Sequence, residues 1–161
     1  MKKEDFTQLL AETVEAVFSF LHQRYAFFSS VFREYGLNYH QYGALMLVYL
    51  EGKISEGELA RLLFLNPSTV SRMVYALENE GWVRCERKER DRRKVWVSLT
   101  PEGRKRLEAI KRKQAEYLAE QVEALGPEER ERMYELAAAV NRDLRMLVSL
   151  YEGKTDRTRE G

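Results

Sequence analysis

The chain is poor in the residues that build extracellular or catalytic chemistry. Of its 161 residues, one is cysteine, two are histidine and three are proline. A lone cysteine cannot make an intramolecular disulfide, which excludes the stapled secreted scaffolds and suits the cytoplasm. His22, His40 and Cys85 lie too far apart for metal-ligand spacing, so neither a metal nor another cofactor is expected. No apolar run approaches the ~18 residues that a membrane span requires, and no membrane partner is expected. The opening MKKEDFTQLLAETVEAVF meets acidic residues too soon to read as a secretory leader. P-loop and G-x-S-x-G strings are missing, and the cysteine has no histidine near it in sequence, so the chain does not read as an enzyme.

Charge of one sign is also scarce, with a formal net charge of +1. Its distribution is uneven. Between Arg84 and Lys94 stand seven basic and three acidic residues, a local excess of +4 that leaves the remainder at −3. A positive field concentrated on a mildly acidic body is the footprint of a polyanion partner. Hydrophobic residues at 44% suffice for a core, and charged residues at 33% suit long exposed helices.

Periodicity divides the chain. Leu10, Val14, Val17, Leu21, Phe28 and Phe32 recur at helical steps over residues 5–33, which Gly36 ends. Asn38 caps a second helix from Tyr39 to Leu50. Ser55 and Glu58 form an S-x-x-E capping box for a third, whose apolar face is Leu59, Leu62 and Leu63. After Leu65, Asn66 and Pro67 are an N-cap and a first-turn proline for a fourth. Two short helices joined by a tight turn make a helix-turn-helix.

On the fourth helix Val70, Val74 and Leu77 share one side, and Ser68, Ser71, Arg72, Tyr75 and Asn79 share the other. Arg72 can donate twice to guanine O6 and N7, and serines near a helix N-terminus reach bases or phosphates. Beyond Gly81 the period becomes two. A strand at 84–88 precedes a charged tip at 89–94, ERDRRK, and a return strand VWVSLTP. Arg90, Arg92 and Lys94 on this tip are suited to phosphates or the minor groove. Thr100-Pro101 opens a fifth helix, Gly126-Pro127 breaks it, and a sixth runs to about Tyr151 with the stripe Met133, Leu136, Val140, Leu144 and Leu147. The fold class is mainly α with a small β-wing. A winged helix-turn-helix at 36–101 is flanked by a helical dimerisation region at 1–35 and 102–151, with a polar tail at 152–161. The terminal stripes are hard to bury within one subunit, so a two-fold homodimer is expected.

The strings PSTVSRMVYALENEGWVRC and DRRKVWVSLTPEG, in that order and spacing, resemble the MarR family of transcriptional regulators over roughly residues 5–150. The resemblance implies a dimeric repressor of double-stranded, palindromic operator DNA. The helix at 67–80 and the wing at 84–95 would contact it. It implies Ser68, Thr69, Ser71 and Arg72 as groove or phosphate contacts. Arg93 would be the wing arginine in the minor groove, and Asp91 would hold arginines in place. It also implies a small-molecule effector between the dimer helices and the winged region, where Tyr25, Phe28, Tyr42 and Met46 fall. Tyr25, Phe27, Phe28, Phe32, Tyr39, Tyr42 and Tyr49 cluster in the first two helices, and ordinary core is the plainer reading of them. Two alternatives stay open: a winged helix used only for protein contacts, and a redox sensor working through Cys85. For that thiol a buried, inert place beside Val83 is the plainer reading. Trp96 alternates off the inner strand face and carries no assignment.

Overall fold

The computed structural model describes the backbone of residues 3–88 and 91–157. It also describes their side chains except at 3–4, 6, 20–21, 23–24, 88, 91–93 and 145–157. The described elements are α1 (Lys3–Glu34), α2 (Tyr39–Glu51), β1 (Ile54–Ser55), α3 (Glu56–Leu63), α4 (Pro67–Asn79), β2 (Val83–Lys88), β3 (Asp91–Leu99), α5 (Pro101–Glu123) and α6 (Pro127–Arg157). The strands form one antiparallel sheet in the order β1-β3-β2. The fold is mostly helical with a small sheet, the winged-helix class that the periodicity implies.

The chain separates into two compact units, Met1–Gln114 and Ala115–Gly161. The boundary falls inside α5. Its first half belongs to the winged unit because Gly103, Leu107 and Ile110 are buried in that core. The core draws on every helix of the unit: Val31 and Phe32 from α1, Leu45 and Val48 from α2, Leu59 from α3, and Val70, Val74 and Leu77 from α4. Burying each such side chain contributes roughly 1.5–3 kcal/mol against leaving it in water. Tyr49 of α2 lies under two cations of α5, with Arg104 at 4.9 Å and Lys111 at 4.1 Å from its ring centre. These contacts clamp the two helices together.

Local capping explains where the helices start. The Asn38 side chain accepts from the Gln41 amide at 2.9 Å, and the Gln41 side chain accepts from the Asn38 amide at 2.8 Å. Ser55 accepts from the Glu58 amide at 3.2 Å, while the Glu58 carboxylate takes hydrogen bonds from Arg61. Asn66 holds the N-cap place of α4 but makes no side-chain capping bond. Pro67 already removes one of the amides that would need it. Phe64, which ends α3, adopts a left-handed φ of 54° with its ring 94% exposed.

Three elements differ from the sequence expectation. β1 has only two residues, too few for a period to show, yet Ile54 and Ser55 pair with Val97 and Trp96. β3 begins at Asp91, so Asp91–Lys94 belong to a strand rather than to the charged tip. Lys88 pairs with Asp91, and the register is irregular between Arg87 and Lys88. Charged residues disfavour a strand by no more than about 1 kcal/mol each, so charge alone does not end it. Finally, α6 continues to Arg157, past the expected stop near Tyr151 and through most of the polar tail. Glu152, Lys154 and Arg157 are good helix formers there.

Candidate nucleic-acid interface

α4 is held from behind and bare in front. Val70, Val74 and Leu77 are all but inaccessible, whereas Ser68, Ser71, Arg72 and Tyr75 are exposed and Thr69 is half-buried. The outward face therefore carries three hydroxyl-bearing residues, one guanidinium and one phenol that is 66% exposed. These are the side chains singled out from sequence, and the helix brings them to one surface.

The wing is pinned to the same unit at several points. The Glu78 carboxylate of α4 accepts from the Cys85 backbone amide at 2.7 Å, tying recognition helix to strand. Arg84 Nε donates to Ser98 Oγ at 3.1 Å across the hairpin and meets Glu86 at 3.5 Å. Lys53 pairs with Glu86 from the turn before β1. Trp96 is half-buried and pairs in register with Glu86 on one side and Ser55 on the other. Of the expected wing contacts, Lys94 is exposed. Asp91, Arg92 and Arg93 lie on β3 with side chains outside the described residues, and Arg90 lies outside them altogether.

The root of the wing depends on residues that periodicity does not reveal. Trp82 is wholly buried, with the Arg106 guanidinium 3.7 Å above its ring. Thr100 Oγ1 donates to the Gly81 carbonyl at 2.6 Å and accepts from the Gly103 amide at 2.8 Å, so one hydroxyl ends the wing and starts α5. A Cβ at Gly103 would stand 1.9 Å from the Trp82 carbonyl oxygen. Only glycine fits there. The string LTPEG contains both residues, but nothing in it shows that Trp82 is what they approach.

Cys85 is half-buried beside Glu78. Burial, then the Glu78 charge and its hydrogen bond, push the thiol up to about 12, with Glu56 adding to the effect and Arg87 opposing it. Such a thiol is protonated and unreactive at neutral pH.

The residues expected to line an effector site fall in two places. Tyr25 and Phe28 border a cavity of about 290 Å³ with Phe18, His22 and Tyr39. Tyr25 and Tyr39 also border a second cavity of about 470 Å³ that includes Ser29 and Arg33. Tyr42 is not among the residues lining either. It stacks on Phe32 at 4.3 Å and donates to Gln114 at 3.0 Å, and burial raises its hydroxyl above the ordinary tyrosine value. Met46 packs against the core. Tyr39, which sequence placed in the aromatic core cluster, joins the two cavities.

A winged helix-turn-helix with a polar recognition helix and a basic hairpin defines a class of regulator. Residues 26–110 match the family model for the transcriptional regulator SarA/Rot. The chain belongs to that family of winged-helix transcriptional regulators, of the MarR type. It is 28% identical over 109 residues, 68% of its length, to YdgJ of Bacillus subtilis, described as an uncharacterized HTH-type transcriptional regulator. The chain spans 66% of YdgJ, just under two thirds of that protein. The transcriptional regulator Tm0710 of Thermotoga maritima superposes with a TM-score of 0.64 at 25% identity, covering 88% of this chain and 98% of that one. A mutant of MepR from S. aureus, bound to an oligodeoxyribonucleotide, superposes with a TM-score of 0.65 at 21% identity, covering 81% and 97%. Among the described residues no helix is long and apolar enough to cross a membrane.

Proposed function

We propose that the protein is a cytoplasmic homodimeric repressor, not an enzyme. It binds palindromic operator duplexes through the helix at 67–80 and the wing at 84–95. The observation that carries this reading is the outward face of α4, where Ser68, Ser71, Arg72 and Tyr75 stand together on a rigid, fully packed helix. The basic ribbon is fixed to that same helix by Glu78. A helix of this kind enters a major groove, and a basic hairpin beside it tracks the backbone. The MepR complex shows a protein of the same fold on DNA. Two copies related by a two-fold axis present two such helices to adjacent half-sites. A small aromatic or amphipathic molecule in the Tyr25–Tyr39 cavities, which lie between α1 and α2, would release the operator by favouring another separation of those helices.

The test is a gel shift on the DNA upstream of the protein's own gene, repeated across a salt series. Affinity should fall steeply as salt rises, because each neutralised phosphate releases counterions. Arg72→Ala should cost about 1–3 kcal/mol of operator binding and relax preference at one base. Arg93→Ala should weaken binding with little change of preference. Both should remain dimers by sedimentation. Wild-type affinity in both variants would sink the assignment, and no shift even at low salt would favour a winged helix used for protein contacts. The redox reading is disfavoured by the protonated Cys85 thiol.

A further inference from the structure

Phe64 carries two costs that the fold does not recover. Among the described residues it is the only non-glycine residue with a positive φ, at 54°. A side chain held in that left-handed conformation costs about 1 kcal/mol. Its ring is also 94% exposed, the highest value among the exposed large hydrophobic residues described. A lone exposed hydrophobic residue is ordinary. One that is strained as well is not, and strain kept in a native backbone points to function.

The turn itself does not need the ring. The Leu65 amide donates to the Ala60 carbonyl at 3.0 Å and the Phe64 amide to the Arg61 carbonyl at 3.3 Å, so backbone alone closes the end of α3. Leu65 supplies the apolar anchor by packing against the core. Glycine would meet the backbone demand at position 64 better than phenylalanine does. Phe64 stands two residues before Asn66, the N-cap of α4. Asn66, Pro67 and Ser68 are exposed, so accessible surface continues from the turn onto the outward face where Arg72 and Tyr75 stand. The N-terminal end of a recognition helix is the end that meets base edges.

We propose that Phe64 is a specificity-determining residue of the α3–α4 turn, whose ring packs on a thymine methyl in each operator half-site. The major groove presents one apolar group, the C5-methyl of thymine, and phenylalanine is among the side chains that meet it. The ring leaves water only in the complex, so its apolar surface contributes to binding and not to folding. Duplex DNA is the occupant because the exposed turn is continuous with the polar face of α4. The inference rests on the reading of α4 as the DNA-facing helix. It goes beyond that reading by adding a reader outside the helix and the base that it selects.

The experiment begins with the full chain selecting duplexes from a randomised library. Each thymine of the selected site is then replaced in turn by deoxyuridine, which pairs identically but lacks the methyl. Wild type, Phe64→Gly and Phe64→Leu are titrated on every duplex. One thymine per half-site should be sensitive, its lost methyl weakening wild-type binding about fourfold, as one buried methyl does. Phe64→Gly should bind the parent duplex about tenfold more weakly and be indifferent to that replacement. Phe64→Leu, still apolar, should keep the sensitivity. In urea the glycine variant should unfold at or above the wild-type midpoint, so that weaker binding at undiminished stability separates a lost contact from a damaged fold. A lower midpoint would mean that the ring is covered without DNA, which overturns the proposal. Wild-type affinity of Phe64→Gly for the parent duplex overturns it and leaves the ring to a protein partner. A methyl effect that survives in Phe64→Gly overturns it too, since another residue then reads that thymine, and so does a wild type indifferent to every replacement. If the wild type enriches no duplex at all, the DNA-facing reading of α4 fails and the proposal falls with it, an outcome visible before any variant is made.

Discussion

The middle of the chain and its two ends handle apolar residues in opposite ways. From Val31 to Ile110 most large hydrophobic residues converge, Leu50 and Phe64 excepted, and Leu45, Leu59, Val70, Trp82, Leu107 and Ile110 are essentially sealed. At the ends the same residue types repeat with the same helical period but remain exposed. Leu10, Val14, Val17 and Phe18 on α1 are between 48% and 71% exposed, and Leu136 and Leu144 on α6 are 55% exposed. One stripe even divides along its length, since α1 begins exposed and finishes buried at Val31 and Phe32. The lesson is that periodicity identifies an apolar face without saying whether this chain contains the surface that covers it. The family match, at 26–110, coincides with the self-sufficient middle.

That contrast can be broken or sharpened by experiment. The largest effect is expected at the root of the wing. Gly103→Ala would push a methyl into the Trp82 carbonyl, which is backbone and cannot step aside. It should cost about 3 kcal/mol or more, as overpacking at rigid contacts does, and be read as a shifted urea midpoint. A Gly103→Ala protein with the wild-type midpoint would show that the middle is not sealed as described.

Leu136→Asp probes an end instead. In an isolated chain such a surface change stays within about 0.5 kcal/mol. In the proposed homodimer it should remove roughly 1.5–3 kcal/mol per buried leucine and convert the dimer to monomer in sedimentation. Unchanged mass and unchanged midpoint would mean that α6 is not covered by a second copy.

Cys85 tests how closed the middle is chemically. With its thiol at about 12, roughly one molecule in ten thousand is thiolate at pH 8, so alkylation should be slow until urea unfolds the chain. Rapid labelling of the folded protein at that pH would revive the redox-sensing alternative. The smallest effect belongs to Phe64, whose positive φ costs a non-glycine residue about 1 kcal/mol and whose ring buries little in return. Phe64→Gly should raise the midpoint slightly or leave it unchanged, and a clear loss would show that the ring is covered by a partner.

Much of the candidate site is legible in the sequence because it depends on local rules. Asn38, Ser55 and Pro67 announce helix starts, Gly81 announces a stop, and the alternation at 95–99 announces a strand. Helical phase alone sends Ser68, Ser71, Arg72 and Tyr75 to one face opposite Val70 and Val74. The wing's true length is not legible, since a charged residue such as Asp91 looks like a loop until Lys88 of the partner strand pairs with it. Nor is β1, whose two residues carry no period. The expected effector residues show the same limit. Tyr25, Phe28, Tyr42 and Met46 look alike in a list of aromatic and apolar positions, but packing sends the first two to a cavity and the second two elsewhere, with Tyr42 against Phe32 and Met46 against the core.

What this sequence determines by itself is the order of its elements, the polar face of its recognition helix and the concentration of positive charge in one hairpin, because each follows from residues within a few positions of one another. Tertiary structure alone decided that Gly103 must be glycine beneath Trp82 and that Glu78 ties Cys85 to α4. Those contacts join residues seven and twenty-one positions apart across different elements. No local period encodes such a meeting; only packing the helices around one core creates it.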